Sequence, residues 1–330
     1  MAGDSEEPQL DPMQAVQLLM NVLSPDAMAE AEKLRNGTSE LVHYTTAENA
    51  LNIIKSKHFW LRNVRCMNDY SEVQHGIGLL VKVFGGLENE RVNRLYTILD
   101  KISPGEAKSA IETFNTWIPR LPDITFIGCL SQAEVTEHMG RLSMWRAYSS
   151  PNAGVALVLD KSPFLAETDE LKAYSMPVAY LSDDEFTVRI DSCLDALETV
   201  APSLVGLPDN FVNHTVFWWL LSMAVSLKHP AFHEEREWRI VYFPEMEKSR
   251  VIEEHVESVN GIPQVIQKIP LRDNAEDGLV GANPEKLLTK VIIGPSEFPA
   301  VISDAFVSLL TGMGFENPAD RISISFIPLR

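Results

Sequence analysis

Two hydrophobic patterns alternate along the chain and predict two kinds of element. Short apolar runs rich in β-branched residues, such as "ITFIGCLS" (124–131) and "AGVALVLD" (153–160), are typical of buried strands. Longer stretches with apolar residues three and four apart are typical of helices. We expect further strands at 41–44, 58–63, 172–181, 237–243, 290–294 and 322–327, and a hairpin over 256–269. We expect helices at 12–22, 25–35, 46–55, 142–149, 184–200, 209–227 and 298–312, and three more within 70–118.

This succession of elements indicates an α+β protein. Residues 1–10 lack apolar periodicity and are predicted to be disordered. Residues 11–37 are predicted to form an N-terminal helical extension, because Asp11 and Ser24 each place a capping side chain directly before a proline. Residues 38–330 are then expected to form a single α+β domain with helical insertions.

The charge balance limits the partners that we expect. The 330 residues include 28 Lys and Arg against 46 Asp and Glu, which gives a formal net charge of −18. Phosphates of nucleic acid or of an anionic membrane would be repelled, so no stable complex with either is expected. The most apolar run, 216–227, is about half as long as a membrane span requires, and the acidic N-terminus does not resemble a secretory signal. We therefore expect a cytoplasmic protein whose three cysteines are reduced thiols.

Several common catalytic motifs are absent from the sequence. It contains no G-x-S-x-G nucleophile elbow, no P-loop and no dinucleotide-binding glycine pattern. The stretch "HEERE" (233–237) resembles a zincin helix, but Glu237 stands where the second histidine ligand is needed. No metal site is predicted.

The stretch "LVHYTT" (41–46) places a histidine at the end of a predicted strand. Thr45 and Glu48 have the spacing of a capping box, so helix initiation alone can explain the threonine. That explanation does not include His43, which precedes the cap. His43 is therefore either a structural strand residue or a group that contacts a ligand.

The stretch "NDYSE" (68–72) has a similar ambiguity. Asp69 and Glu72 also have capping-box spacing before an apolar helix, and the side chain of Asn68 can hold a turn. A structural interpretation of this segment is favoured over a functional one.

An aromatic stripe is predicted in "LSMWRAY" (142–148). Met144, Trp145 and Tyr148 lie on one face of a helix, since residues three and four apart are neighbours there. Such a stripe usually packs in a core. Its functional interpretation is an aromatic wall for a flat ligand.

The strand "EWRIVYF" (237–243) carries two charged residues among apolar ones. Because side chains alternate along a strand, Glu237 and Arg239 share a face with Val241, and apolar residues line the other face. Apolar residues on both faces imply burial on both sides, and a buried carboxylate is costly unless it is paired or used. A structural ion pair and a catalytic carboxylate are both consistent with this pattern.

In this order, the stretches resemble the bacterial domain-of-unknown-function family 2971. The motifs that carry the resemblance are His43-Tyr44-Thr45, Asn68-Asp69 with Glu72, Met144-Trp145 with Tyr148, Gly154-Val155, and Glu235-Arg236-Glu237-Trp238-Arg239. Each motif is weak alone, but their ordered combination over about residues 40–295 is specific.

At the level of motif order, that family distantly resembles the ADP-ribosyltransferase superfamily. The resemblance implies a bent, split β-sheet with helical insertions that binds NAD as a substrate. It implies that His43 orients a ribose and that Tyr148 or Tyr44 packs on the nicotinamide. It implies that Glu237 is the catalytic carboxylate, with Glu235 as the competing candidate two residues earlier on the same strand face. The cofactor-binding residues expected around them are Tyr44, Thr45, Asn68, Trp145, Tyr148, Glu235 and Arg239.

Two functions remain open at this point. The first is an NAD-dependent ADP-ribosyltransferase or NAD glycohydrolase, acting as a bacterial antiviral-defence or toxin-like effector on an unknown macromolecular acceptor. The second is a catalytically inactive module that uses the same cleft to sense a small-molecule nucleotide or to bind a protein.

Overall fold

The computed structural model describes residues 11–67, 70–86, 88–149, 153–166, 170–204, 207–259 and 261–328. Within these ranges the protein is α+β, as the sequence predicts, with twelve α-helices and twelve strands. The strands are β1 (Glu40–Thr46), β2 (His58–Asn63), β3 (Phe126–Ala133), β4 (Gly154–Leu159), β5 (Ala173–Pro177), β6 (Ala179–Tyr180), β7 (Leu227–Lys228), β8 (Glu237–Tyr242), β9 (Glu253–Val259), β10 (Ile262–Pro270), β11 (Leu288–Ile293) and β12 (Ile322–Ile324). The helices are α1 (Pro12–Leu23), α2 (Pro25–Asn36), α3 (Ala47–Ser56), α4 (Tyr70–Phe84), α5 (Glu90–Leu99), α6 (Glu106–Trp117), α7 (Leu121–Ile124), α8 (Leu142–Tyr148), α9 (Asp183–Val200), α10 (Phe211–Ser226), α11 (Pro284–Leu287) and α12 (Pro299–Gly312).

The described residues group into two compact units. Unit 1 comprises the described parts of 1–30, 68–123 and 179–231, and unit 2 comprises those of 31–67, 124–178 and 232–330. A contact-defined unit is not by itself an independently folding domain. The single domain expected over 38–330, with its N-terminal extension, therefore stays a prediction.

Unit 1 is mostly helical and is organised around α10. This helix is mostly apolar and buries nine of its residues, although His214 near its N-terminal end is exposed. The indole Nε1 of Trp219 donates to the Leu23 carbonyl at 2.8 Å, which satisfies the polar atom of a fully buried side chain. A Cβ at Gly76 would lie 2.4 Å from the Ala224 carbonyl oxygen, so glycine permits α4 to approach α10 closely. No helix in the described ranges is both long and apolar enough to span a bilayer.

Unit 2 is built on a ten-stranded mixed open sheet in the order β12-β11-β4-β1-β3-β2-β10-β9, with β8 paired to β3 and β5 paired to β8. The β11–β12 pair is parallel and the other pairs are antiparallel. Strand β8 pairs with one edge of β3 from Phe126 to Ser131. The other edge of β3 is shared: β1 pairs with its last three residues, and β2 pairs with its first two.

The sheet therefore splits beside residues 128–130 of β3, where neither β1 nor β2 pairs. One cause lies in the sequence at Gly128. A Cβ there would lie 2.4 Å from the Phe59 ring, so the ring packs directly on the strand backbone at the split. The bent, split sheet that the resemblance implies stays a prediction.

Alternation along β1 places its side chains in two cores. Leu41 belongs to the larger cluster with Phe59 and Leu130. Val42 and Tyr44 belong to the smaller cluster on the opposite face.

Three local expectations need correction. Thr46, not Thr45, caps α3, accepting from the Asn49 N–H at 3.2 Å, because β1 extends to Thr46. Glu235 does not lie on the same strand face as Glu237, because it ends a 3-10 turn and Arg236 has a φ of 42°. The strand expected over 172–181 is two strands, β5 and β6, in different sheets.

Candidate functional site

A pocket in unit 2 occupies the split between β1 and β3. Its cavity volume is about 130 Å³, which is below the roughly 300–1,000 Å³ of typical small-molecule sites. Its walls come from β1, α3, β2, β3, α8 and the start of β8. Of the residues predicted from sequence, His43, Tyr44, Thr45, Tyr148, Glu235 and Glu237 line it.

The side chain of His43 extends across the split and forms a hydrogen bond to β3 where β1 and β3 are not paired. Its Nδ1 lies 2.8 Å from the Cys129 carbonyl oxygen, and its ring packs edge-on against Phe59 at 5.1 Å. A carbonyl oxygen only accepts, so Nδ1 must carry the proton. Burial lowers the pKa of His43, although the Cys129 hydrogen bond opposes the shift. The imidazole is thus neutral at pH 7, and its Nε2 is a hydrogen-bond acceptor with no partner among the described residues.

Glu237 and Arg239 form a buried ion pair on one face of β8. The Arg239 Nε donates to Glu237 Oε1 at 2.7 Å, and Nη2 donates to Oε2 at 3.2 Å. The side chains are 3% and 0% exposed. Such a two-point pair fixes the orientation of the carboxylate. Glu237 lines the pocket, whereas Arg239 lies outside the lining residues and contacts the site through Glu237.

The strand register decides how the two titratable groups reach the pocket. Val42 is paired with Ser131, and Ser131 is paired with Glu237, so these side chains share one face of the sheet. His43 projects to the opposite face, because neighbouring residues on a strand alternate. The two groups line one pocket only because that pocket passes through the split.

The two aromatic residues of α8 have different environments. Trp145 is 3% exposed, packs edge-on against Tyr44 at 5.0 Å and donates from Nε1 to the Met139 carbonyl at 2.9 Å. It does not line the pocket, and its neighbours are those of a core residue. Tyr148 is half-buried and lines the pocket beside Met144. The stripe is therefore core at Trp145 and pocket wall at Tyr148.

The remaining predicted residues contribute less to the site. Thr45 is buried at the pocket wall, and Glu235 is half-buried there. The Tyr44 hydroxyl accepts from the Arg141 N–H at 3.1 Å, and burial raises the pKa of this phenol. Asn68 lies outside the described residues.

Arg141 is a residue of the site region that the sequence does not indicate. Its Nη1 donates to the Ser131 Oγ and to the Glu234 carbonyl at 2.9 Å, and its Nη2 donates to Glu137 at 2.9 Å. It thus ties the end of β3 and the turn before β8 to the N-terminal end of α8. Glu137 is four residues away, but Glu234 is 93 residues away in sequence, so no local pattern could predict that contact.

Trp60 and Arg62 on β2 also line the pocket and were not predicted. Arg62 donates from Nε to the Gln264 side chain at 3.0 Å and from Nη2 to the Cys66 carbonyl at 2.7 Å. Lys268 lies 5.0 Å from the centre of the Trp60 ring. A signal was present, since Trp60 and Arg62 are two apart on a strand and must share a face.

The arrangement suits a ligand that has an aromatic face and hydroxyl groups. Tyr148 offers a ring face, His43 offers an acceptor, and Glu237 offers a negative charge of fixed orientation. No group of three or more potential metal-ligating side chains occurs within the described ranges.

Comparison with known proteins gives one match. A family model described as a protein of unknown function (DUF2971) matches residues 144–240. The matched segment includes Tyr148, Glu235, Glu237 and Arg239, and is shorter than the range over which the motifs resemble that family. No curated protein and no solved structure matches the chain.

Proposed function

We propose that unit 2 binds NAD in this pocket, which we call the slot between β1 and β3, and breaks the bond between nicotinamide and ribose. The observation that carries this proposal is that His43, Tyr148 and Glu237, from three separate parts of the chain, line one pocket. A ribose-orienting group, a ring face and a carboxylate are the three parts that such a site requires.

His43 supplies the contact to a ribose. Its Nδ1 is held by the Cys129 carbonyl, so the ring orientation is fixed before a ligand arrives. Nε2 then accepts a hydrogen bond from a ribose hydroxyl. Positioning by a rigid group lowers the barrier, because the entropy of orientation is lost on binding rather than in the reaction.

Tyr148 supplies the face on which the nicotinamide packs. A half-buried ring at the pocket wall can cover a flat heterocycle and exclude water from one of its sides. Tyr44 is a weaker candidate, because its ring packs against Trp145 and its hydroxyl is bonded to Arg141.

Glu237 supplies the charge that favours the reaction. When the glycosidic bond breaks, its electron pair leaves with the nicotinamide and a positive charge develops on the ribose. A fixed carboxylate stabilises that charge. Water or a nucleophile of an acceptor then adds to the ribose carbon and loses a proton. Arg239 keeps Glu237 ionised and oriented.

The test is release of free nicotinamide from NAD by the purified protein, followed by chromatography. Wild type should release it, and Glu237→Gln should reduce the rate by about 100-fold or more in protein that a thermal melting curve shows to be folded. Glu235→Gln is the matched control, a pocket carboxylate on the turn, and should retain most of the activity. Loss of activity in Glu235→Gln alone would assign the catalytic role to Glu235. Absence of nicotinamide with wild type would contradict the proposal.

One observation favours a second function, a nucleotide-binding module without catalysis. The Glu237 carboxylate is 3% exposed and both its oxygens accept from Arg239, so its charge is largely compensated. In that case NAD or a related nucleotide would bind in the slot and remain intact. A role in bacterial defence remains a prediction for either function.

A further inference from the structure

Strand β9 is a free edge of the ten-stranded sheet. It is the last strand in the order, and within the described part of the chain only β10 pairs with it. The pairing is regular over all seven residues of β9, from Glu253 to Val259, without a bulge. A regular edge strand presents a row of unpaired N–H and C=O groups that can pair with another extended segment.

The exposed face of this hairpin is apolar at its centre. Val256 is 73% exposed, and its cross-strand neighbour Val265 on β10 is 41% exposed. Aliphatic side chains directly opposite each other on a surface offer a contact for an apolar residue on an added strand.

Three acidic residues define which segment fits this edge. Glu253 and Glu257 lie on one face of β9, and Glu254 lies on the face of Val256. Lys268 lies 2.6 Å from Glu257, whereas the neighbours of the other two are a histidine and an amide: His255 lies 3.0 Å from Glu253, and Gln267 donates to Glu254 at 3.0 Å. A second copy of β9 would bring three further glutamates to this edge, and like charges on neighbouring strands are unfavourable. The complementary strand alternates basic residues opposite Glu253 and Glu257 with apolar residues opposite Val256.

The last residue of β9, Val259, lines the slot. We propose that β9 is a docking edge for a basic, extended segment of a partner protein, which adds to the sheet as an eleventh strand. Resting on the function proposed above, this partner is the acceptor, and docking brings it to the mouth of the slot. Main-chain hydrogen bonds supply affinity, and alternate side chains supply selectivity.

The test uses a fluorescent peptide, Lys-Val-Lys-Val-Lys-Val-Lys, titrated with the full chain in the absence of NAD. A peptide with glutamate in place of lysine should bind about tenfold or more weaker, because like charges face each other across the strands. Val256→Lys should weaken binding of the basic peptide by about tenfold. The matched control is Val188→Lys on α9, a valine 65% exposed in unit 1, which adds the same charge and should change binding by less than about twofold.

Equal effects of Val256→Lys and Val188→Lys would overturn the proposal, since attraction to the net negative charge would then explain the binding. Absence of binding would overturn it as well. Dimerisation that Val256→Lys abolishes would replace it with self-pairing. Because docking is measured without NAD, it is separable from catalysis: peptide binding without nicotinamide release would retain the docking edge and reject the enzyme.

Discussion

The middle of β1 places His43 in the slot, and the start of β8 places Glu237 there. The two side chains differ in how many of their polar atoms are hydrogen-bonded within the protein. Glu237 has both oxygens paired with Arg239 on its own strand. His43 has one nitrogen bonded to the Cys129 carbonyl, and no described residue bonds the other. Both carboxylate oxygens therefore accept hydrogen bonds within β8, whereas only one imidazole nitrogen has a hydrogen-bond partner among the described residues.

This difference separates two kinds of polar residue in a sheet. The pair at Glu237 would be needed for stability even if the protein had no ligand, because removing either side chain would break a two-point ion pair in a buried site. No comparable requirement for stability accounts for Nε2 of His43. His43 is therefore the stronger indication of a ligand, and Glu237 is the residue for which catalysis and stability must be measured separately.

The largest effect is expected on stability at β8. Arg239→Met removes the two-point ion pair of the buried Glu237 and should lower the free energy of unfolding by about 3–5 kcal/mol, measured by denaturant titration. Replacing both residues, as in Glu237→Leu with Arg239→Met, should recover most of that loss. The control is Arg94→Met, which removes surface ion pairs to Asp195 and Glu198 and should cost less than about 1 kcal/mol. Equal losses for Arg239→Met and Arg94→Met would contradict a stabilising buried pair.

The next effect concerns the aromatic wall of the slot. Tyr148→Ala should weaken NAD binding by roughly tenfold or more, the usual contribution of one stacked base, whereas Tyr148→Phe should retain it. Calorimetric titration gives both values. Tyr96→Ala, a half-buried tyrosine of α5 in unit 1, is the control and should leave binding unchanged. If Tyr148→Ala lowered the melting temperature but not the affinity, its ring would be part of the core only.

A smaller effect is expected from the titration of His43. Its folded pKa is lowered by burial, so below the unfolded value of about 6.5 the unfolded chain binds a proton that the folded chain does not. Stability should therefore fall as the pH falls from about 6.5 toward the folded pKa, by at most about 1.4 kcal/mol per pH unit. His43→Gln should reduce this slope in denaturant titrations between pH 7 and pH 5. An identical slope in both proteins would show that His43 titrates as it does in water.

Much of the fold could be predicted from the sequence because the patterns are local. Asp11 caps α1 as expected, with a capping box to Gln14 that was not predicted, and α10 follows the apolar run that predicts it. The hairpin of β9 and β10 was also expected, and Gly261 at its turn has the positive φ of 80° that glycine tolerates. The division into two units depends on contacts between distant segments, so no local pattern indicated it.

The candidate site was predictable only in part, for the same reason. Burial of Glu237 with Arg239 followed from alternation on one strand. The prediction that Thr45 caps α3 was wrong. Strand β1 is longer than expected, so the cap is Thr46, one residue later. Arg141 could not be found, because Ser131 and Glu234 approach it together only in the folded sheet.

The central claim is that the slot is a nucleotide site in which His43 contacts the ribose. The most direct measurement is calorimetric titration of NAD into wild type and into His43→Ala, with His214→Ala, an exposed histidine of unit 1, as the control. Wild type and His214→Ala should bind NAD equally, and His43→Ala should bind about tenfold weaker, the value of one hydrogen bond in a partly buried site. Equal affinity of all three proteins, or no binding of NAD by wild type, would contradict the claim.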